Sequence, residues 1–138
     1  MSQIEVDKVI PQSGTNLQIG EAGDTINLTT ATVNLPTGVG GTSWQAVKTT
    51  NFTAAAGEGY FVNTTGGVIT ATLPSSATIG NEVSIIDYAG TADTNNITIG
   101  RNGHNIQGAA SDMTVSTERA AFTLVYVDST QGWLLKDK

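Results

Sequence analysis

Apolar residues recur in this chain at two-residue spacing and almost never at helical spacing. Near the N-terminus they come in pairs: Ile4 and Val6, Leu17 and Ile19, Ile26 and Leu28, Val33 and Leu35, with the adjacent Val9 and Ile10 as the exception. An i, i+2 pair marks a short strand with one buried face. Pro11-Gln-Ser-Gly14, Gly20-Glu-Ala-Gly23 and Pro36-Thr-Gly38 supply turns between the pairs. Two apolar side chains per strand bury too little area to offset the cost of ordering the backbone. The pattern over 1–42 therefore predicts short strands that pack against counterparts in other copies of the chain. A loosely ordered leader is the alternative. Gly38-Val-Gly-Gly-Thr-Ser43 reads as a joint. A phosphate-cradling loop would need a Walker lysine and a following helical pattern, and neither is there.

From residue 43 onward the two-residue period continues without a break for a helix. It predicts strands over 43–49, 59–63, 68–73, 82–87, 96–99, 104–107, 112–115, 121–128 and 132–136. Thr65-Gly-Gly-Val68 and Arg101-Asn-Gly-His104 have the chemistry of tight hairpin turns, since Gly and Asn supply positive φ. Short strands at such spacing predict an all-β fold: an antiparallel, jelly-roll-like β-sandwich over 43–138, preceded by the short-strand region 1–42.

The strands also divide into faces. Ile69, Ala71 and Leu73 share one face, opposite Val68, Thr70 and Thr72. Phe122, Leu124 and Tyr126 oppose Ala121, Thr123, Val125 and Val127, and Val83 and Ile85 oppose Ser84, Ile86 and Tyr88. A sheet wetted on one side normally alternates apolar with charged residues. Here the second faces are Thr, Val and Ala, which predicts that other subunits cover them. The competing explanation is the β propensity of Thr at exposed sites.

Composition narrows the function classes. Thr, Gly and Asn fill 48 of the 138 positions, while charged residues make up 13% and the net charge is −6. So few good helix formers argue against a helical protein. Six basic residues against twelve acidic ones leave no footprint for nucleic acid. With no cysteine there is neither a disulfide nor a thiolate metal site. The start, Met-Ser-Gln-Ile-Glu-Val-Asp, lacks the basic and apolar regions of a signal peptide, and no apolar run is long enough to span a membrane. A chain made in a cytoplasm and soluble, with no membrane insertion, is expected.

Little points to catalysis. His104 is the only histidine, and no nucleophile elbow or His-x-x-x-His pair accompanies it. The carboxylates Glu58, Glu82, Asp87, Asp93, Asp112, Glu118 and Asp128 are scattered, so neither a glycosidase pair nor a calcium loop is indicated. No catalytic residue, cofactor or metal is expected. Trp133 reads first as a packing residue and second as a sugar platform, and Trp44 as a packing lid after the glycine joint. The loops carry many small polar groups, suited to weak recognition repeated over several copies. The candidate receptor contacts are Tyr60, Asp93, Asn95, Asn96, Arg101, Asn102, His104 and Asn105.

Two blocks carry a family resemblance. Val6-Asp-Lys-Val-Ile-Pro-Gln-Ser-Gly-Thr-Asn-Leu-Gln-Ile-Gly-Glu-Ala-Gly-Asp-Thr-Ile26 resembles a leader of tail-fibre and other virion proteins of tailed bacteriophages. Lys48-Thr-Thr-Asn-Phe-Thr53, Gly57-Glu-Gly-Tyr-Phe-Val-Asn-Thr-Thr65, Thr72-Leu-Pro-Ser75, Asn95-Asn-Ile-Thr-Ile-Gly-Arg-Asn-Gly103 and Leu124-Val-Tyr-Val-Asp-Ser-Thr-Gln-Gly-Trp133 look like the β module that closes such fibres. The resemblance implies a non-enzymatic, homotrimeric virion component. Residues 1–42 would meet other virion proteins, and the distal β domain would contact a host glycan or protein. The chain lacks a long shaft, so a tail-tip protein or a capsid decoration protein fits the same pattern. A small carbohydrate-active enzyme is the more distant alternative.

Overall fold

The computed structural model describes residues 41–137. The paired apolar residues of the N-terminal region and the leader block lie outside the described residues. The described part holds nine strands: β1 (Ser43–Trp44), β2 (Phe52–Thr53), β3 (Glu58–Val62), β4 (Ile69–Thr72), β5 (Glu82–Asp87), β6 (Ile97–Gly100), β7 (Met113–Val115), β8 (Ala121–Asp128) and β9 (Gly132–Leu135). One 3₁₀ turn, Thr64–Gly66, is the only helical element among the described residues. The described part is all-β apart from this one turn, in keeping with the two-residue period.

The strands form a five-stranded sheet ordered β1-β3-β5-β8-β9 and a four-stranded sheet ordered β2-β4-β6-β7. From β1 to β6 the chain alternates between the sheets, and each strand pairs in parallel with the one two places earlier. Ser43 thus faces Glu58, which faces Val83; Phe52 faces Ala71, and Ile69 faces Ile97. This is a coil in which each turn adds one strand to each sheet. β7, β8 and β9 then close the ends with antiparallel pairing to β6, β5 and β8. Both sheets are mixed, so the expected antiparallel, jelly-roll-like connectivity is corrected.

The reason lies in the turns. Gly66-Gly67 does bend the chain, and the Gly67 N–H donates to the Thr64 carbonyl at 3.0 Å. The bend carries β3 of one sheet into β4 of the other, so it makes no hairpin. Arg101–His104 does form a tight turn, with Asn102 and Gly103 at φ of 48° and 92° and the His104 N–H on the Arg101 carbonyl. It leads into a loop rather than a paired strand. The strand expected over 104–107 is also corrected: Ile106 alone makes bridges, and Gln107 has φ 51°, which no strand accommodates. The strand expected over 43–49 shortens to two residues plus a bridge from Lys48 to Val62.

The face assignments hold. Tyr60, Val62, Val83, Ile85, Leu124, Tyr126 and Trp133 of the five-stranded sheet share one buried cluster with Ile69, Ala71, Ile97, Ile99 and Val115 of the other. One charged side chain sits at its margin. Asp87, the last residue of β5, is 2% exposed. Its Oδ1 accepts from the Gly90 and Thr91 N–H groups and its Oδ2 from those of Ala92 and Arg119, at 3.1–3.4 Å. A carboxylate with both oxygens engaged by backbone donors meets the condition for burying charge. Asp87 thus ties the loop after β5 to the turn before β8.

Candidate functional site

The eight residues singled out as receptor contacts fall into three places. Asn95 and Asn96 precede β6 and Arg101 follows it, so the four residues of β6 hold the two loops roughly 13 Å apart. Tyr60 lies in neither loop. It is 2% exposed in the core, where its hydroxyl donates to Glu58 and accepts from the Ala55 N–H. This corrects its assignment as a surface contact: the inward face of β3 carries it. Burial, and then the Glu58 carboxylate, push the Tyr60 pKa from the ordinary 10.0 up to about 12. Folding therefore favours the neutral phenol, a contribution complete below pH 10 and lost as pH rises through about 12. We expect stability to fall across that window and the fall to be shallower in Tyr60→Phe. Denaturation midpoints measured through the window check this; parallel curves for the two proteins would refute it.

The loop side chains are turned inward as braces. The Nδ2 groups of Asn95, Asn96, Asn102 and Asn105 donate to the carbonyls of Thr64, Ala92, Leu73 and Thr130, all at 2.8–3.0 Å. The Arg101 guanidinium donates to the His104 carbonyl. His104 places Nε2 3.0 Å from the Ser75 carbonyl and its ring edge-on to Tyr126 at 4.9 Å. Asp93 is exposed and holds only the neighbouring Thr94 hydroxyl. Asn and His in a turn-rich sequence thus signal loop bracing here, because each amide can replace a missing backbone partner.

The outward sheet faces carry what loop reading missed. On the four-stranded sheet the outward positions of the strands are Thr53, Thr70, Thr72, Thr98, Gly100 and Thr114. They lie in register, Thr70 opposite Thr98 opposite Thr114, and Thr53 opposite Thr72 opposite Gly100. On the five-stranded sheet they include Trp44, Phe61, Ile86, Ala121, Val125 and Leu134, around a hydrogen-bonded Ser84–Thr123 pair with hydroxyls 2.9 Å apart. Trp44 is 47% exposed, stacks on Phe61 at 4.9 Å and lies over Gly59. A side chain at position 59 would meet the indole ring at 2.5 Å. A signal for this seat was present in the sequence as an aromatic at the start of the strand register and a glycine inside Glu58–Val62.

Among the described residues, clefts open on the surface. One of about 470 Å³ lies between Gly57, Glu58 and the Thr78–Glu82 turn. Another, of about 510 Å³, is an apolar groove along Met113, Val115, Phe122 and Leu135. The third, about 280 Å³, runs beside Trp44 along Ser84, Ile86 and Thr123. Among the described residues no group of three or more His, Asp or Glu gathers to hold a metal ion, and no helix is long and apolar enough to cross a membrane. Compared with models of known protein families and with curated proteins, the chain matches none.

Proposed function

We propose that this chain is a non-enzymatic structural protein of a bacteriophage virion, of tail-fibre or tail-tip type, working as a homotrimer whose two sheets stack as a sandwich. The observation that carries the reading is the shortage of charge on the outward sheet faces. One is lined by threonine and the other mainly by Trp, Phe, Ile, Val and Leu. A lone domain in a chain of net charge −6 would normally wet such faces with Lys and Glu. The two sequence blocks that resemble virion proteins support the same reading. Host contact would fall to the braced loops, whose fixed backbone and exposed Asp93 offer a shallow polar surface. Weak binding of one copy gains avidity when three copies engage together.

Gold-labelled antibody to the protein, imaged on intact virions, tests the assignment. Label on the tail is expected. Label on the head would move the protein to capsid decoration, and unlabelled virions would overturn the proposal. Release of reducing sugar from host polysaccharide by the purified protein would overturn its non-enzymatic part.

A further inference from the structure

We infer that Asn102 is a site of spontaneous modification: its side-chain amide is lost to attack by the Gly103 backbone nitrogen, and the product unclasps the loop after β6 from the end of β4. The inference does not depend on the virion reading.

Of the ten asparagines in the chain, only Asn102 precedes a glycine. A side chain on the following residue shields the backbone nitrogen that must attack, and glycine has none. Asn102 and Gly103 are both exposed, and around the Gly103 Cα a Cβ would meet nothing within 4 Å. The Gly103 N–H has no protein acceptor among the described residues. Its neighbours are engaged: the Arg101 N–H donates to Asp112 and the His104 N–H to the Arg101 carbonyl. The nucleophile is therefore open to hydroxide from solvent. The other braced asparagines differ. Asn95, Asn96 and Asn105 are half-buried and precede Asn96, Ile97 and Ile106. The Ile106 N–H is also tied to the Ala109 carbonyl at 3.0 Å.

The chemistry needs only water. Hydroxide takes the Gly103 amide proton, and the nitrogen forms a bond to the Asn102 Cγ. The Cγ–Nδ2 bond breaks, and Nδ2 leaves as ammonia with a proton from water. A second water opens the resulting cyclic imide at either carbonyl. One opening gives aspartate; the other gives its isomer, in which the backbone runs through the former side chain. The net reaction is hydrolysis of an amide, with nothing oxidised or reduced.

The leaving nitrogen is also a clasp. Asn102 Nδ2 donates to the Leu73 carbonyl at 2.8 Å, and His104 makes a second link beside it at the Ser75 carbonyl. Aspartate leaves the Leu73 carbonyl facing an acceptor with no proton to give. The isomer in addition lengthens the turn. Each product adds a negative charge to a chain already at −6.

The test ages the full chain at neutral and mildly alkaline pH, digests it with pepsin in acid, where hydroxide is scarce, and maps it by mass spectrometry. An unaged sample is carried through the same digest. Asn102 should exchange NH₂ for OH before any other asparagine, and sooner at the higher pH. The Leu73 bond should make the folded chain react about fivefold more slowly than the same chain in urea. Gly103→Ala, its fold checked by circular dichroism, should lose the reaction over the same interval. Exchange at Asn102 only in urea, exchange first at another asparagine, or undiminished exchange in Gly103→Ala would each overturn the site. Asn102→Asp reproduces one product, and its thermal midpoint should fall by about 4–8 °C. An unchanged midpoint would overturn the clasp.

Discussion

Asp87→Ala is expected to destabilise the fold by about 4 kcal/mol, because it strands at once four backbone donors, one of them buried and three partly buried, that converge on one buried carboxylate. Gly90, Thr91, Ala92 and Arg119 all direct their N–H groups at this one carboxylate. A buried donor left unpaired costs roughly 1–3 kcal/mol, and water reaching the partly buried donors recovers part of the total. Asp87→Asn should fare little better. Both carboxylate oxygens are acceptors here, so the asparagine NH₂ would point its protons at two N–H groups. Urea denaturation of the three proteins at unchanged slope gives the comparison. A loss under about 1 kcal/mol for alanine, or full rescue by asparagine, would refute the role assigned to the charge.

Gly132→Ala is expected to cost about 3–5 kcal/mol, and Gly103→Ala only about 1–2. Both glycines have positive φ, 71° and 92°, so both substitutions carry the strain of a side chain in the left-handed region. They differ in their surroundings. A Cβ at 103 meets nothing within 4 Å, whereas one at 132 would overlap the backbone carbonyl of Asn105 and lie 2.5 Å from its carbon. That carbonyl accepts from the Trp133 N–H at 2.9 Å, and the Gln107 N–H returns a bond to Trp133 at 2.8 Å. Backbone cannot swing aside as a side-chain tip can, so the 105–107 strap must lift from β9. Trp133, the largest fully buried side chain, would then lose its cover. Thermal unfolding of the pair separates the causes. Equal losses would mean that strain alone matters and that the strap contributes nothing.

The positions of most strands were legible because each carries its own evidence. β5 and β8 alternate over six and eight residues, and their expected ends coincide with those observed. Strand direction was not legible. Whether a strand pairs with its predecessor or with the one before that depends on where the intervening turn sends the chain. Gly66-Gly67 looks the same locally in either case. β2 escaped notice since two residues have no period, and 104–107 misled since Ile106 makes isolated bridges next to Gln107, whose φ of 51° no strand accommodates. At the candidate site, residue chemistry was read correctly as polar and hydrogen-bonding. What no linear pattern contains is the partner, and the amides of Asn95, Asn96, Asn102 and Asn105 spend their donors within the protein. Asp87 was grouped with scattered carboxylates for the same reason.

The alternation of β1 to β6 between sheets also sets the order in which the fold can be completed. β5 lies in the middle of the five-stranded sheet, yet its far neighbour β8 is the second-last strand made. During synthesis the chain can coil its first six strands in succession, but the far edges of β5 and β6 stay open until β7 and β8 arrive. Contacts so distant in sequence make for slow folding, in the range of milliseconds to seconds for β-rich domains. A ribosome that stops after β6 releases a chain with two exposed parallel edges, which are templates for pairing with other such chains. Docking of β7 and β8 thus withdraws the far sides of β6 and β5 from such pairing, late in the order of synthesis.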